Sequence, residues 1–428
     1  MKLKSQNNSL IDNQLNVILT KFLSFHRAIK LNNKSNIERG CSMSEQQISA
    51  RKSGKQFKLP RSIGKGRQVD PKALSQVKAL LGDESRQKDL LIEHLHKIQD
   101  KYHYISAPHL VALASEMKLS KAEVYEVATF YHHFDVIKEN QTPPPELTVR
   151  VCESLTCDMM GAHELISTLT EGLQDKVRVQ PVPCIGRCDK APVAVVGMNP
   201  IEHAELTKVV HAVNDNVTQP EKLHYVDYES YNQQGGYQLY QACIEGKIKV
   251  DDVLDAMDDS GLRGLGGAGF PVGRKWRIVR EQQQPKLMAV NIDEGEPGTF
   301  KDKYYLDRDP HCFLEGALIA AWAVGINDIY IYLRDEYAAI RESLTQELAK
   351  LQANPPVEIM PVIHLRRGAG AYICGEESAM IESIEGKRGM PRLRPPFVAE
   401  IGLFGRPTLE HNMESLYWVR DILEKGPE

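Results

Sequence analysis

The sequence predicts an α/β protein in which a small N-terminal helical bundle precedes a compact α/β unit and a larger α/β region. Apolar residues recur at helical spacing from Pro71 to Phe134, as in "LLIEHLHKIQDKY" and "APHLVALASEM". Strand-like runs such as "LTVRVC" and "APVAVVG" then alternate with helical ones. We therefore expect a disordered leader at 1–67, the bundle at 68–145, the compact unit at 146–213, a linker at 214–237 and the larger region at 238–428.

Composition excludes several classes of function. The 428 residues contain 53 Lys+Arg against 57 Asp+Glu, a net charge of −4 that gives no electrostatic footprint for nucleic acid. No run of apolar residues is long enough to span a bilayer, and the apolar stretch at 17–25 is broken by Lys21. We expect a cytoplasmic protein without membrane insertion. The first 67 residues are polar and rich in Asn, Ser and Lys, and either Met1 or Met43 could be the start.

Four of the eight cysteines fall within a short stretch of the compact unit. Cys152 and Cys157 form a C-x4-C pair after a strand, and Cys184 and Cys188 form a C-x3-C pair in a loop containing Pro and Gly. Four thiolates on two loops suit a [2Fe–2S] cluster, with zinc or unliganded thiols as alternatives. Cys41, Cys243, Cys312 and Cys374 stand singly, and we expect them to be small buried residues.

The segment "SGLRGLGGAGFPVGRKW", at 260–276, carries five glycines within nine residues and ends in cations. Glycines let a ligand approach the backbone, and a cation that follows them neutralises phosphate. The order matches the dinucleotide fingerprint G-x-G-x-x-G only loosely. By itself, such a loop is as often a flexible turn.

Two further loops also indicate a ligand site. "NIDEGEPGTFKD" places acidic side chains after the apolar strand "KLMAVNI", where open α/β sheets present ligand contacts. "RRGAGAYICGEES" combines glycines with acidic residues at the start of a helix. These carboxylates would repel phosphate but can accept hydrogen bonds from ribose hydroxyls or a carboxamide.

Together these motifs resemble a known family. Residues 260–415, with "GLRGLGGAGFPVGRKW", "DEGEPGTFKD" and "GAGAYICGEES", resemble the FMN- and NADH-binding flavoprotein subunit of respiratory complex I. Residues 90–212 resemble its partner, the thioredoxin-like [2Fe–2S] subunit. The two are fused in the diaphorase subunits of NAD-linked formate dehydrogenases and NAD-reducing hydrogenases, and "LRPPFVAEIGLFGRPTLEHNMESLYWVRDI" looks most like the formate dehydrogenase beta subunit.

The resemblance implies the roles of individual residues. Cys152, Cys157, Cys184 and Cys188 would hold one [2Fe–2S] cluster. Residues implied for FMN are Gly264, Gly266, Lys275, Asn291, Asp293, Glu294, Tyr372, Gly375, Glu376, Glu377 and Asn412. Those implied for NAD(H) are Gly267, Phe270, Glu296 and Phe397. His411 stands where the family has a second asparagine, and Ile278 where it has an aromatic residue.

The implied chemistry is hydride transfer between NAD(H) and FMN, positioned by the protein without a catalytic side chain. The expected reaction is formate oxidation coupled to NAD reduction, with a partner alpha subunit that carries a molybdenum or tungsten cofactor and iron–sulfur clusters. The resemblance also implies a [4Fe–4S] cluster in a C-terminal part beyond residue 428, so we expect the chain to be truncated and its [2Fe–2S] cluster to be reduced slowly. Alternatives are the diaphorase subunit of an NAD-reducing hydrogenase or an NADH:quinone oxidoreductase, or a non-catalytic assembly module.

Overall fold

Alternating strands and helices make up most of the computed structural model, which describes residues 66–173 and 176–427. The described residues belong to one compact unit. The leader expected at 1–67 lies outside them except for its last two residues, as do Cys41 and Met43. Within the described part of the chain, every helix is too short or too polar to cross a membrane.

The helical bundle begins where capping residues predict. The Asp70 carboxylate accepts a hydrogen bond from the Ala73 N–H, and the Ser106 hydroxyl accepts one from the His109 N–H. A left-handed residue, Lys118, ends the third helix. The elements are α1 (Pro71–Leu81), α2 (Leu91–Tyr102), β1 (Ile105–Ser106), α3 (Ala107–Met117), α4 (Lys121–Phe130) and β2 (Val136–Ile137), with β1 and β2 paired in parallel.

The second unit, which we call the cysteine domain, is a four-stranded sheet with helices against it. The strand order is β4-β3-β5-β6, with β3 and β4 parallel and the other pairs antiparallel. Strand β3 is buried along its length except at Arg150, which is partly exposed. The elements are β3 (Thr148–Cys152), α5 (Leu155–Met159), α6 (Ala162–Leu173), β4 (Arg178–Val182), β5 (Ala194–Val196), β6 (Asn199–Ile201) and α7 (Leu206–Asn214).

The third unit, the large sheet domain, is built on four parallel strands in the order β10-β7-β8-β9. Helices connect successive strands, as parallel pairing requires. The elements are α8 (Tyr228–Gln233), α9 (Gln238–Ile244), α10 (Val250–Asp259), α11 (Val272–Arg280), β7 (Leu287–Ile292), α12 (Lys301–Leu306), α13 (Pro310–Val324), β8 (Asp328–Leu333), α14 (Ala338–Ala353), β9 (Val362–Arg367), α15 (Glu377–Ile384), β10 (Thr408–Asn412) and α16 (Met413–Lys425).

Both faces of this sheet are buried, but against different parts of the chain. Met288, Val290 and Ile292 of β7 pack into a core formed with helices of the same domain that precede and follow the strand. Leu287 and Ala289, which alternate with them, pack into a core shared with the N-terminal bundle. The bundle is therefore a covering layer of the large sheet, and this could not be inferred from its own sequence.

The segment expected to be a linker, 214–237, is largely built into the large sheet domain. Tyr231 and Tyr237 are fully buried in its core. The Tyr231 hydroxyl donates a hydrogen bond to the buried Glu315 carboxylate at 2.6 Å, and the Tyr237 N–H donates to the same carboxylate at 3.0 Å. Buried aromatic rings and a satisfied buried carboxylate account for this ordered packing.

Candidate functional site

The carboxyl ends of the parallel strands open into a cavity of about 860 Å³. The chain passes from β7 to β8 to β9 and then returns to place β10 on the other side of β7. Loops that leave strands on either side of such a reversal diverge and leave a crevice, the usual ligand site of open α/β sheets. Asn291 of β7 and Asn412 of β10 are register partners at this edge. We call this crevice the switch-point cavity.

The glycine-rich loop forms one wall of the switch-point cavity. It is closed by a hydrogen bond from the Gly264 N–H to the Phe270 carbonyl oxygen at 2.9 Å. The Leu265 N–H donates to the Ser415 hydroxyl at 2.9 Å, which fixes the loop against α16. Gly267 has a φ of +105°, which favours glycine, and a side chain there would extend into open space. The loop therefore presents bare backbone to the cavity.

Two lysines bring positive charge to the cavity. Lys275, in the first turn of α11, donates a hydrogen bond from Nζ to the Glu410 carbonyl oxygen at 3.0 Å. Lys301, at the start of α12, lies 2.6 Å from the Asp302 carboxylate and 2.8 Å from the Asn412 side-chain oxygen. Lys301 and Asp302 end the motif "NIDEGEPGTFKD", but the sequence alone did not indicate that their side chains line the cavity.

The acidic loop after β7 carries one buried and one exposed glutamate carboxylate. That of Glu294 is buried, accepts hydrogen bonds from the Asp302 N–H at 2.9 Å and the Tyr337 hydroxyl at 2.8 Å, and so caps α12. Glu296 is exposed and accepts a hydrogen bond from the Tyr372 hydroxyl. Glu294 thus holds the wall of the cavity together, whereas Glu296 offers a carboxylate to a ligand.

The loop after β9 closes the opposite wall. Asn291 donates a hydrogen bond from Nδ2 to the Gly375 carbonyl oxygen at 2.9 Å, which ties the two acidic loops together. The Glu376 carboxylate caps α15 by accepting from the Ala379 N–H at 2.9 Å. Arg394 forms ion pairs with Glu376 and Glu377, the second at 2.8 Å.

The structure brings together nearly all the residues expected from the sequence. Fourteen of the fifteen expected FMN and NAD(H) residues line the switch-point cavity. The exception is Phe397, which is 55% exposed and is not among the lining residues. The lining residues that the sequence did not reveal are Leu265, Ala268, Gly269, Gly295, Thr299, Lys301, Asp302, Ile373, Arg394, Glu410 and His411.

Burial shifts several protonation equilibria in the cavity wall. Burial raises the pKa of Asp293 to about 7, although the Arg334 guanidinium opposes the shift. Burial also raises the pKa of Glu410 above its ordinary value. Burial and the Lys275 ammonium hold the pKa of His411 well below its usual range. Neutral His411 accepts a hydrogen bond at Nε2 from the Trp276 indole N–H at 2.8 Å, so it serves to position α11.

The four clustered cysteines converge in the cysteine domain. Cys184 Sγ lies 3.4 Å from Cys188 Sγ, and the Cys152 thiol interacts with the thiols of both Cys157 and Cys184. Among the described residues, no three His, Cys, Asp or Glu side chains are arranged around a single metal ion. A [2Fe–2S] cluster does not need such an arrangement, because its four cysteines are shared between two irons. The single cysteines Cys243, Cys312 and Cys374 are buried and free, as expected.

The cysteine cluster touches the wall of the switch-point cavity. The Gly298 N–H donates a hydrogen bond to Cys188 Sγ at 3.2 Å, and Gly298 lies two residues after Glu296. Arg334, which follows β8, donates to the Cys184 carbonyl oxygen at 2.6 Å and also to the Glu294 carbonyl oxygen. The two candidate redox sites therefore share a wall.

Comparison with known proteins agrees with this geometry. Residues 257–421 match the family described as Nuo51 FMN-binding domain, and residues 77–216 match the thioredoxin-like [2Fe–2S] ferredoxin family. These matches confirm the predicted fold class, and they assign FMN to the large sheet domain and a [2Fe–2S] cluster to the cysteine domain.

Similar full-length proteins include enzyme subunits of two kinds. One of the NADH-quinone oxidoreductase subunits of Rhizobium meliloti is 43% identical over 205 residues, which are 46% of this chain and 48% of that protein. The NAD-reducing hydrogenase HoxS subunit alpha of Cupriavidus necator is 30% identical over 399 residues, 83% of this chain and 65% of that protein. A crystal structure of an NAD+-reducing [NiFe]-hydrogenase in the H2-reduced state superposes with a TM-score of 0.67 at 29% identity, covering 80% of this chain and 62% of that one. The chain thus spans half to two thirds of these relatives.

The residues of the switch-point cavity fit FMN. Bare backbone at Gly266 and Gly267, beside the Lys275 ammonium, suits a phosphate. Asp293 Oδ2 is buried without a hydrogen-bond partner among the described residues. A buried polar atom of this kind normally has a partner, and the polar edge of a bound ligand would supply one.

Proposed function

Since the chain joins a thioredoxin-like [2Fe–2S] domain to a Nuo51-type FMN-binding domain, we propose that it is the diaphorase subunit of a larger NAD-linked oxidoreductase. Hydride is exchanged between NAD(H) and FMN in the switch-point cavity, and electrons are exchanged between FMN and the iron–sulfur cluster. The observation that supports this proposal best is the hydrogen bond from the Gly298 N–H to Cys188 Sγ, because it joins one of the clustered cysteines to the loop that carries Glu296.

The chain's own residues would bind FMN and fix its orientation. Bound FMN supplies a group that takes two electrons from a nicotinamide and passes them on singly. The backbone at Gly264 and Gly266 and the ammonium of Lys275 would hold its phosphate end. Side-chain amides of Asn291 and Asn412, at the ends of adjacent strands, would fix its polar groups.

The nicotinamide nucleotide would occupy the more open part of the same cavity. Glu296 offers an exposed carboxylate that can accept hydrogen bonds from ribose hydroxyls. Phe270 is partly exposed beside Gly267, with the Arg274 guanidinium 5.6 Å from the centre of its ring. Phe397 would reach the nucleotide only if its loop moved, because it does not line the cavity.

We propose that the physiological reaction is formate oxidation coupled to NAD reduction. The partner would be an alpha subunit that contains molybdenum or tungsten. The support for this reaction is the formate dehydrogenase-like sequence from residue 393 to residue 422. The hydrogenase and quinone oxidoreductase relatives support the alternatives. Identification of the subunits that co-purify with the chain separates the three, since each would carry a different catalytic centre.

Flavin retention tests the cavity assignment. Gly266 has an ordinary φ, and a Cβ there would lie 3.3 Å from Asn412 Cβ. The larger side chain of Gly266→Leu should therefore fill this part of the switch-point cavity and abolish FMN binding. The matched control is Gly172→Leu, because Gly172 also has an ordinary φ and no neighbour within 4 Å. FMN bound per chain is the measurement. Equal flavin content in both variants would refute the assignment, and so would absence of flavin from the wild-type protein, as expected of an assembly module.

A further inference from the structure

Asp293 forms part of the wall between the switch-point cavity and a second, smaller cavity. The second cavity has a volume of about 110 Å³, and Asp293, Gly295 and Tyr372 line both. We call it the junction cavity, because the bundle, the cysteine domain and the large sheet domain all contribute to it. Its polar lining includes His96, His132, His133, Arg150, Asp335 and Glu336.

The Asp293 carboxyl is poised to bind or release a proton. Its Oδ2 atom is buried and unpartnered among the described residues, although its N–H donates to the Asn291 side-chain oxygen at 2.9 Å. The charged and titratable groups that act on it are Arg334 and Glu336 after β8, His133 of the bundle, Tyr332 of β8 and Cys374 after β9. Burial outweighs the opposing effects of Arg334 and His133, and it raises the pKa of Asp293 to about 7.

The junction cavity offers a route from Asp293 to the protein surface. It is large enough for a few water molecules, and charged and polar side chains make up part of its lining. His133 Nδ1 lies 2.9 Å from the Asp335 carboxylate, and His133 Nε2 lies 3.8 Å from Glu336. At the outer end, Arg367 bridges Asp335 and Asp100, and the Asp100 side chain is 42% exposed. Charged and polar side chains thus continue from the wall of the switch-point cavity to solvent, and water in the junction cavity would carry the proton past Arg367.

The proposed reaction requires such a route. A hydride that leaves NADH carries two electrons and one proton, and iron–sulfur clusters accept only the electrons. Each oxidation of NADH to NAD+ with two electrons delivered to clusters therefore releases one proton, and the reverse reaction takes one up. A nucleotide bound in the switch-point cavity would obstruct exchange with solvent from the open side.

We propose that the Asp293 carboxyl exchanges this proton between the bound flavin and water in the junction cavity, with His133 as the next carrier. In each cycle Asp293 gains one proton from the flavin side and loses one to the junction cavity, so it is unchanged at the end. The inference rests on the proposed function, because only a hydride-to-electron exchange leaves a proton to move.

The first test is infrared spectroscopy of the FMN-containing protein as a function of pH, comparing wild type with Asp293→Asn. The wild type should show a protonated-carboxyl band that disappears with a midpoint near pH 7, and the variant should lack it. The reduction potential of the bound flavin should change its slope against pH near the same midpoint in the wild type only. A band lost at the pH of an ordinary carboxyl group, or identical slopes in the two proteins, would overturn the proposal.

A second variant separates proton movement from structural support. His133→Gln should keep the Asp293 band and the bound FMN but delay the appearance of protons in solution, seen with an indicator dye, relative to the flavin absorbance change. The control is His163→Gln, because His163 is an exposed side chain paired with Asp158, away from the junction cavity. Equal delays in the two variants would exclude His133 as a carrier. Failure of the wild-type protein to bind FMN would instead contradict the proposed function itself.

Discussion

Glu296 and Glu294 are two residues apart and chemically alike, yet the structure gives them different tasks. Glu294 caps α12 and accepts a hydrogen bond from Tyr337, so its carboxylate is occupied within the protein. Glu296 is exposed in the cavity wall, and the Tyr372 hydroxyl donates a hydrogen bond to it. A sequence motif can indicate that acidic residues gather at a strand end, but only the fold determines which carboxylate remains available to a ligand.

Glu296→Gln should weaken NADH binding while leaving FMN bound. The neutral amide keeps the shape of the side chain but is a poorer acceptor for ribose hydroxyls, so we expect a loss of roughly tenfold, about 1.4 kcal/mol. Titration of the flavin-containing protein with NADH measures it. Tyr372→Phe is the control, because it removes the neighbouring donor but retains the carboxylate. Loss of flavin from Glu296→Gln to the same degree as loss of NADH affinity would show that the residue belongs to the flavin site.

At the scale of secondary-structure elements, strand ends and buried faces account for most of what could be predicted. The parallel strands were recognisable as apolar runs, and the loops after β7 and β9 carry the glycines and acids that indicated a site. Lys301 and Asp302 belong to the same acidic motif, but they begin a short helix, and only the fold shows that this helix faces the cavity. The sequence did not predict that the bundle covers one face of the large sheet. Leu287 and Ala289 share a core with bundle residues that are distant in the sequence.

The contact between α2 of the bundle and β9 predicts a pH dependence of stability. Burial raises the pKa of Glu93 from 4.5 to about 7, against the opposing charge of Arg366. The folded protein therefore binds this proton more tightly than the unfolded chain does, and its stability falls as the pH rises from about 4.5 to about 7.

Glu93→Gln should remove this loss and stabilise the protein above pH 7, by on the order of 2 kcal/mol after allowance for partial exposure. Arg366 would still be paired with Asp89 at 2.8 Å, so the variant leaves no lone buried cation. Urea unfolding of both proteins at pH 5 and pH 8 measures the difference. Equal destabilisation of the variant at both pH values would show that Glu93 is ionised in the folded state.

The position of the loop between Cys184 and Cys188 can be tested by substituting a glycine within it. Gly186 has a φ of +73°, and a Cβ there would overlap the Tyr337 ring of the large sheet domain. Gly186→Ala should push the cysteine loop away, lower cluster occupancy and leave FMN binding intact. Gly161→Ala is the control, since Gly161 has a similar φ of +89° but no neighbour within 4 Å. The iron and sulfide content per chain measures cluster occupancy in each variant. Equal losses in the two variants would show that backbone strain alone lowers the occupancy.

At the scale of the whole molecule, the cysteine domain contacts the loop after β7, while the rate at which its cluster is reduced stays a prediction. Resemblance alone suggested slow reduction of the [2Fe–2S] cluster. The structure places Cys188 Sγ 3.2 Å from the N–H of Gly298, in the loop that also carries Glu296. One of the four clustered cysteines thus contacts the loop that carries a lining residue of the switch-point cavity. The sequence could not reveal this, because the residues in contact are 110 positions apart.

The proposed function requires that this chain itself exchange hydride between NAD(H) and FMN. Anaerobic mixing of the FMN-containing protein with NADH, followed by flavin absorbance, tests it most directly. We predict bleaching of the flavin with one NADH consumed per flavin, because the three loops at the carboxyl edge of the sheet form the binding cavity within this chain. Unchanged absorbance of flavin that remains bound in the presence of excess NADH would show that the chain does not carry out this exchange.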